Sequence, residues 1–222
     1  ISLVLISFST ISISYTRVVM PFLNQLFSTF PHSSTLIFVF YLYLCAQIFK
    51  SKVIMIINER DIRNQLVLEA AHQIMVAART APKGKGIDII EIITITGKDI
   101  KQVSEHLKVM SKKTGMKFLL RDAENILQAE AMILIGTKKQ VQGLNCAYCG
   151  FPTCIEKPDT VPCAINSIDV GIAIGSACAK ASDLRLDTRV MFSAGWSALQ
   201  LGLLKNCHLV IAIPLSASSK NP

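Results

Sequence analysis

The chain has 222 residues, seven cysteines, 23 basic against 15 acidic side chains, and 51% apolar residues. So large an apolar fraction with only 17% charged residues excludes a disordered chain. An odd cysteine count in a chain of this length, with four of the seven between Cys146 and Cys163, excludes a small disulfide scaffold.

Composition breaks near Met55. Residues 1–54 hold no Asp, Glu or Gly, only Arg17, Lys50 and Lys52 as basic residues, and seven of the ten Phe. Residues 55–222 hold all 11 Gly and all 15 acidic residues, as one ordinary domain would. The apolar run from Leu36 to Phe49 is shorter than the roughly 20 residues of a spanning helix. Lys50 and Lys52 follow that run, whereas a secretory signal places its basic residues before it. The segment therefore reads as sequence upstream of a true start at Met55, with a membrane anchor as the alternative. In either case residues 55–222 are expected on the cytoplasmic side. Ser219 to Pro222 reads as the middle of a loop, so further chain is expected after it.

Asn58, with Asp61 three residues on, predicts a helix start, and Ile62, Leu66, Ala70, Ile74 and Ala77 recur at helical spacing as far as Pro82. The β-branched run from Ile87 to Ile95 predicts a strand covered on both faces. A second helix follows, with Ile100, Val103, Leu107 and Met110 inward, Lys98, Lys101, Lys108 and Lys112 solvated, and an end at Gly115. Met116 to Leu120 reads as a short strand, Asp122 to Ala129 as a short helix, and Ala131 to Ile135 as a buried strand. Asn166 and Asp169 are expected to cap a helix running to about Ser182. Its small residues, Gly171 and Gly175 among them, predict close packing in a soluble core. A helix over about Thr188 to Leu203 and a strand from His208 to Ile213, closed by Pro214, complete the chain. Helices and strands alternating in this way predict a layered α/β domain, with the cysteine loop, residues 143–165, inserted into it.

The chemistry concentrates in Cys146-Ala-Tyr-Cys149-Gly-Phe-Pro-Thr-Cys154 and, after a loop bracketed by Pro158 and Pro162, Cys163. A C-x-x-C pair puts two thiolates on one turn of backbone, Gly150 and Pro152 let the chain wrap, and Cys154 and Cys163 can close the set. Four convergent thiolates repel one another unless a metal or cluster neutralises them. Buried free thiols and disulfides are the bland readings. Structural zinc is the serious rival, although zinc sites use two paired knuckles or bring in His, and no His lies between residues 107 and 207. The spacing favours one 4Fe-4S cluster on Cys146, Cys149, Cys154 and Cys163, with Tyr148 and Phe151 as its covers.

The run Cys146 to Cys154 resembles the C-x-x-C-G-[YF]-x-x-C core of the 4Fe-4S domain in Rnf-type electron-transport subunits and corrinoid iron–sulfur proteins, in which the fourth cysteine comes later than Cys163 does. The frame from Met55 to Pro222 resembles a prokaryotic family of uncharacterised ferredoxin-domain-containing proteins, through Ala77 to Gly86, Cys163 to Ser176 and Ile213 to Ser216. That resemblance implies cluster binding and carries no reaction with it.

Weaker signals remain. Lys83-Gly-Lys-Gly86 lacks P-loop spacing and reads as a polar turn. Arg79, Lys83 and Lys85 could hold an anion, and a faint similarity to flavin-dependent nitroreductases implies FMN, although the Ser and Asn of that family's turn are missing. The spread lysines and five aromatics after residue 54 argue against nucleic acid. His72, His106 and His208 read as structural, and Cys178 and Cys207 as core residues, Cys178 with a possible approach to the cluster. The first expectation is thus an electron carrier with a redox partner protein. The second is an oxidoreductase passing electrons to a flavin near Arg79 to Gly86, and the third a zinc-bound interaction module.

Overall fold

The computed structural model describes residues 56–218, and the expectations for residues 1–54 and for Ser219 to Pro222 lie outside them. The described residues from 57 onward form one compact unit. Its elements are α1 (Glu59–Thr80), a 3-10 turn (Gly84–Gly86), β1 (Ile90–Thr96), α2 (Gly97–Thr114), α3 (Phe118–Ile126), β2 (Ala131–Lys138), α4 (Ala164–Asp183), β3 (Asp187–Thr188), α5 (Phe192–Gln200) and β4 (Cys207–Ser216). The strands form one sheet in the order β1-β2-β4-β3, every pair antiparallel.

The alternation of side chains along a strand makes this a three-layer domain. From β2, Met132 and Leu134 enter a core shared with α2, α3 and α5, where Ile100, Val103, Leu107, Leu119 and Ala198 meet them. Ala131, Ile133 and Ile135 point the other way, into a core built with Val67, Ala71, Ile74 and Ala78 of α1 and Ala173, Ala177 and Ala181 of α4. The alanines of α4 let it lie close against α1. On the opposite face, an added Cβ at Gly195 of α5 would come within 2.1 Å of the Val210 carbonyl oxygen, so only glycine fits there.

The layered α/β expectation holds, and several details change. Asn58 caps α1 by accepting from the Arg60 amide. The buried stripe of α1 is Val67, Ala71, Ile74 and Ala78, one position round from the predicted one except at Ile74. The strand covered on both faces is β2, while β1, at the sheet edge, is only half-buried along most of its length. Residues 118–120 are the first turn of α3, because Leu119, Asp122, Ala123 and Ile126 recur at helical spacing on its inner face. The helix predicted from Thr188 begins only at Phe192, since Asp187 and Thr188 pair with β4 and Met191 bridges to Ala212. Pro214 lies within β4. Ala212 exchanges hydrogen bonds with Met191, so the missing N–H of Pro214, two residues on, faces the stretch between Thr188 and Met191, where no ladder needs it. Asn166 and Asp169 are buried inside α4, and Cys163 occupies the N-cap instead. Gly171 and Gly175 lie on the exposed face of α4, with nothing within 4 Å of a Cβ at either, so they serve no close packing.

Candidate metal centre

Between β2 and α4 the chain runs without helix or strand from residue 139 to 163, and this segment carries the four cysteines. Gly143, Asn145, Ala147 and Gly150 take left-handed backbone angles, at φ of 68°, 49°, 59° and 87°. Recurring left-handed residues turn successive N–H groups inward, forming the concave nests that bind anions and iron–sulfur groups. One such contact is present: the Asn145 amide donates to Cys154 Sγ at 3.4 Å, while Asn145 Oδ1 accepts from the Cys154 amide at 2.8 Å. Asparagine tolerates the left-handed region better than most residues, and alanine does not.

Cys146, Cys149, Cys154 and Cys163 all line one pocket, with Gln142, Phe151 and Lys157 among the other walls. All four are free thiols. Cys163 is buried and is fixed by the folded body, since its carbonyl accepts from the Ser167 amide in the first turn of α4. Among the described residues no group of three or more His, Cys, Asp or Glu side chains is arranged to hold one metal ion. The sulfurs surround a space and do not meet at a point. That space is narrow, about 10 Å³, and the four thiols round it are the donor set of a multi-iron group.

Two supports that sequence reading missed brace the loop. Lys157 is 8% exposed, and its ammonium donates to the carbonyls of Pro158 and Val161, at 2.9 and 2.6 Å. Asp169, buried on α4, accepts from the Gly84 amide and from Gln142 Nε2, and Lys85 donates to the Gln142 carbonyl at 3.3 Å. Gly84 must be glycine, because a Cβ there would lie 2.8 Å from Ile165.

Of the expected covers, Phe151 lines the pocket, whereas Tyr148 is 73% exposed and does not. Cys178 packs in the α1–α4 core, its thiol pushed up by burial against a smaller opposing effect of the Thr188 hydrogen bond. The Cys207 thiol, buried in the other core, is pushed up to about 11 by burial and by Glu91, so it stays protonated. Neither lines the pocket. The cations proposed to hold an anion are engaged within the chain. Arg79 pairs with Asp88 at 2.7 Å and donates to the Ile90 carbonyl, and Lys83 donates to the carbonyls of Arg79 and Ala81. His106 shares a hydrogen bond with Ser197 in the α2–α5 contact, a structural role.

A three-layer α/β domain with a four-thiol loop inserted between β2 and α4 defines the class of protein. A family model described as an uncharacterized protein containing a ferredoxin domain matches residues 159–222, a stretch that includes Cys163 and stops short of the other three cysteines. An uncharacterized protein of Archaeoglobus fulgidus is 39% identical in an alignment of 178 positions that covers 76% of this chain and 96% of that protein. The chain belongs to this family of uncharacterized proteins containing a ferredoxin domain. Among solved structures, it is similar to a nitroreductase family protein from Clostridium novyi NT, at 15% identity and a TM-score of 0.49 over 68% of this chain and 74% of that one. It is also similar to an FMN-dependent nitroreductase from Clostridium difficile R20291, at 19% identity and a TM-score of 0.45 over 69% and 78%. Similarities at this level say nothing of chemistry. No described helix is long and apolar enough to cross a membrane.

Proposed function

We propose that the protein is an electron carrier holding one 4Fe-4S cluster on Cys146, Cys149, Cys154 and Cys163. The observation that carries this reading is that all four free thiols line one pocket, Cys163 from the N-cap of α4 and the other three from the loop before it. Zinc sites use two paired knuckles or bring in His, whereas one C-x-x-C followed by two singly spaced cysteines, with no His between residues 107 and 207, suits a cluster better. Membership of a ferredoxin-domain family supports the same reading. Free thiols suit a reducing cytoplasm.

In that role Cys163 supplies the one ligand fixed by the folded domain, and the loop supplies three that can adjust. Asn145 donates a backbone hydrogen bond to the Cys154 sulfur, which stabilises the more negative, reduced state. When bound, the cluster supplies one-electron chemistry, and the carrier needs a redox partner protein on each side of the exchange. Protein purified without oxygen should contain iron and acid-labile sulfide at about four each per chain, and should bleach with dithionite. One zinc and no iron would overturn the reading. FMN that co-purifies and is lost on Arg79→Ala and Lys83→Ala would replace the carrier by a flavin-dependent oxidoreductase.

A further inference from the structure

Polarity is inverted at one point of the cysteine loop. Ile155 is 95% exposed, while Lys157, two residues on, is 8% exposed and lines the cysteine pocket. Lysine is almost never buried unless paired. Lys157 has two carbonyl partners, and among the described residues it forms no ion pair with a carboxylate. Its acidic neighbours in sequence form no ion pair with it: Glu156 is exposed and bonded to Thr153, and Asp159 is exposed. Two carbonyls satisfy donors and leave the net charge uncompensated, and an uncompensated buried charge is strongly destabilising. The other walls include four groups that become anions on binding iron, which are Cys146, Cys149, Cys154 and Cys163.

We propose that the Lys157 ammonium is the internal counter-charge of the four-thiolate pocket, holding an anionic iron–sulfur group there and raising its reduction potential. The inference rests on the cluster reading above. Lys157 lines the pocket with its stem, and its ammonium sits behind that wall on two carbonyls. An electron arriving in the pocket adds one negative charge, and a cation held beside it stabilises that reduced form more than the oxidised one. The two carbonyl bonds have a separate effect. They fold residues 158–161 back on themselves, which brings the chain round to Cys163.

Three variants separate charge from stapling, read by iron content, circular dichroism and a dithionite titration of the full chain. Lys157→Gln keeps a donor for the carbonyls and removes the charge; Lys157→Met removes both; Lys157→Arg keeps the charge. The expected result is a loaded Lys157→Gln protein with a potential clearly more negative than wild type, and a Lys157→Arg protein close to wild type. If the neutral variants stay folded but lose iron while Lys157→Arg retains it, the counter-charge is also supported. A loaded Lys157→Gln protein with an unchanged potential would overturn the inference while leaving the cluster reading intact. Loss of iron from all three variants would overturn it too, in favour of a purely structural staple. Wild-type protein with zinc and no iron would instead overturn the cluster reading.

Discussion

The centre of the sheet and the cysteine loop are built on opposite terms. Seven of the eight residues of β2 are buried, it pairs on both sides along its length with one register shift against β4 between Thr137 and Lys138, and its side chains feed two apolar cores. The loop from 139 to 163 has no ladder and no helix, and is held by a few side-chain bonds through Asn145, Lys157 and the Gln142–Asp169 pair. The body is specified by burial, which tolerates little change in volume. The loop is specified by backbone conformation and charge, so the two regions should respond differently to the same size of change.

The largest effect on the body is expected at Gly195. Replacing it with Ala drives a methyl group into the Val210 carbonyl, and urea denaturation should show a loss of about 3 kcal/mol or more. Cys149→Ser should do the reverse, cutting iron per chain to near zero while leaving the urea midpoint of metal-free protein within about 0.5 kcal/mol of the parent. A large loss of stability in metal-free Cys149→Ser would show that loop and body are one cooperative unit. Ala147→Gly relieves a left-handed alanine and should stabilise by about 0.5–1 kcal/mol without loss of iron, an outcome that urea titration and iron assay check together.

The smallest effect is expected at Asp88, just before β1. Partial burial raises its carboxyl, and the Arg79 hydrogen bond with the Ile90 amide and the nearby cations outweighs that, so the net shift is downward. A carboxylate depressed in the folded state stabilises above its unfolded range and loses that contribution as pH falls through its folded value. Asp88→Asn should therefore cost about 0–1 kcal/mol at pH 7, less in high salt, and nothing once the wild-type carboxyl is protonated. Urea titrations at neutral and acid pH check the sign.

Much of the body was legible in the sequence. The stripe of α2 and the apolar run of β2 are set by periodicity and length alone, and both are buried as expected. The start of α3 was not legible, because five apolar and basic residues fit a strand as well as a turn of helix, and only the continuation to Ala123 and Ile126 decides between them. The caps expected at Asn166 and Asp169 failed for a tertiary reason: both side chains are buried, Asp169 answering a glycine amide 85 residues earlier. The cysteines were visible because ligand spacing is local. Lys157 was not, since a lysine among Pro, Glu and Asp reads as solvated. Its one signal was its position beside the two prolines that bracket the return to Cys163.

The position of Cys163 at the N-cap of α4 has a consequence for thermodynamic linkage. A ligand stabilises a fold only by the difference between its affinities for the folded and unfolded chains. Cys146, Cys149 and Cys154 span nine residues, so an unfolded chain can present all three to iron. Cys163 is held in place by the first turn of α4 and by the core beneath it. With the proposed cluster bound, much of the metal's affinity would be common to both states, and the share that reports on folding would come through a single sulfur. Heat or denaturant should release that sulfur at the global transition while the other three keep their grip, leaving a three-ligand species whose loss of iron lags behind loss of structure.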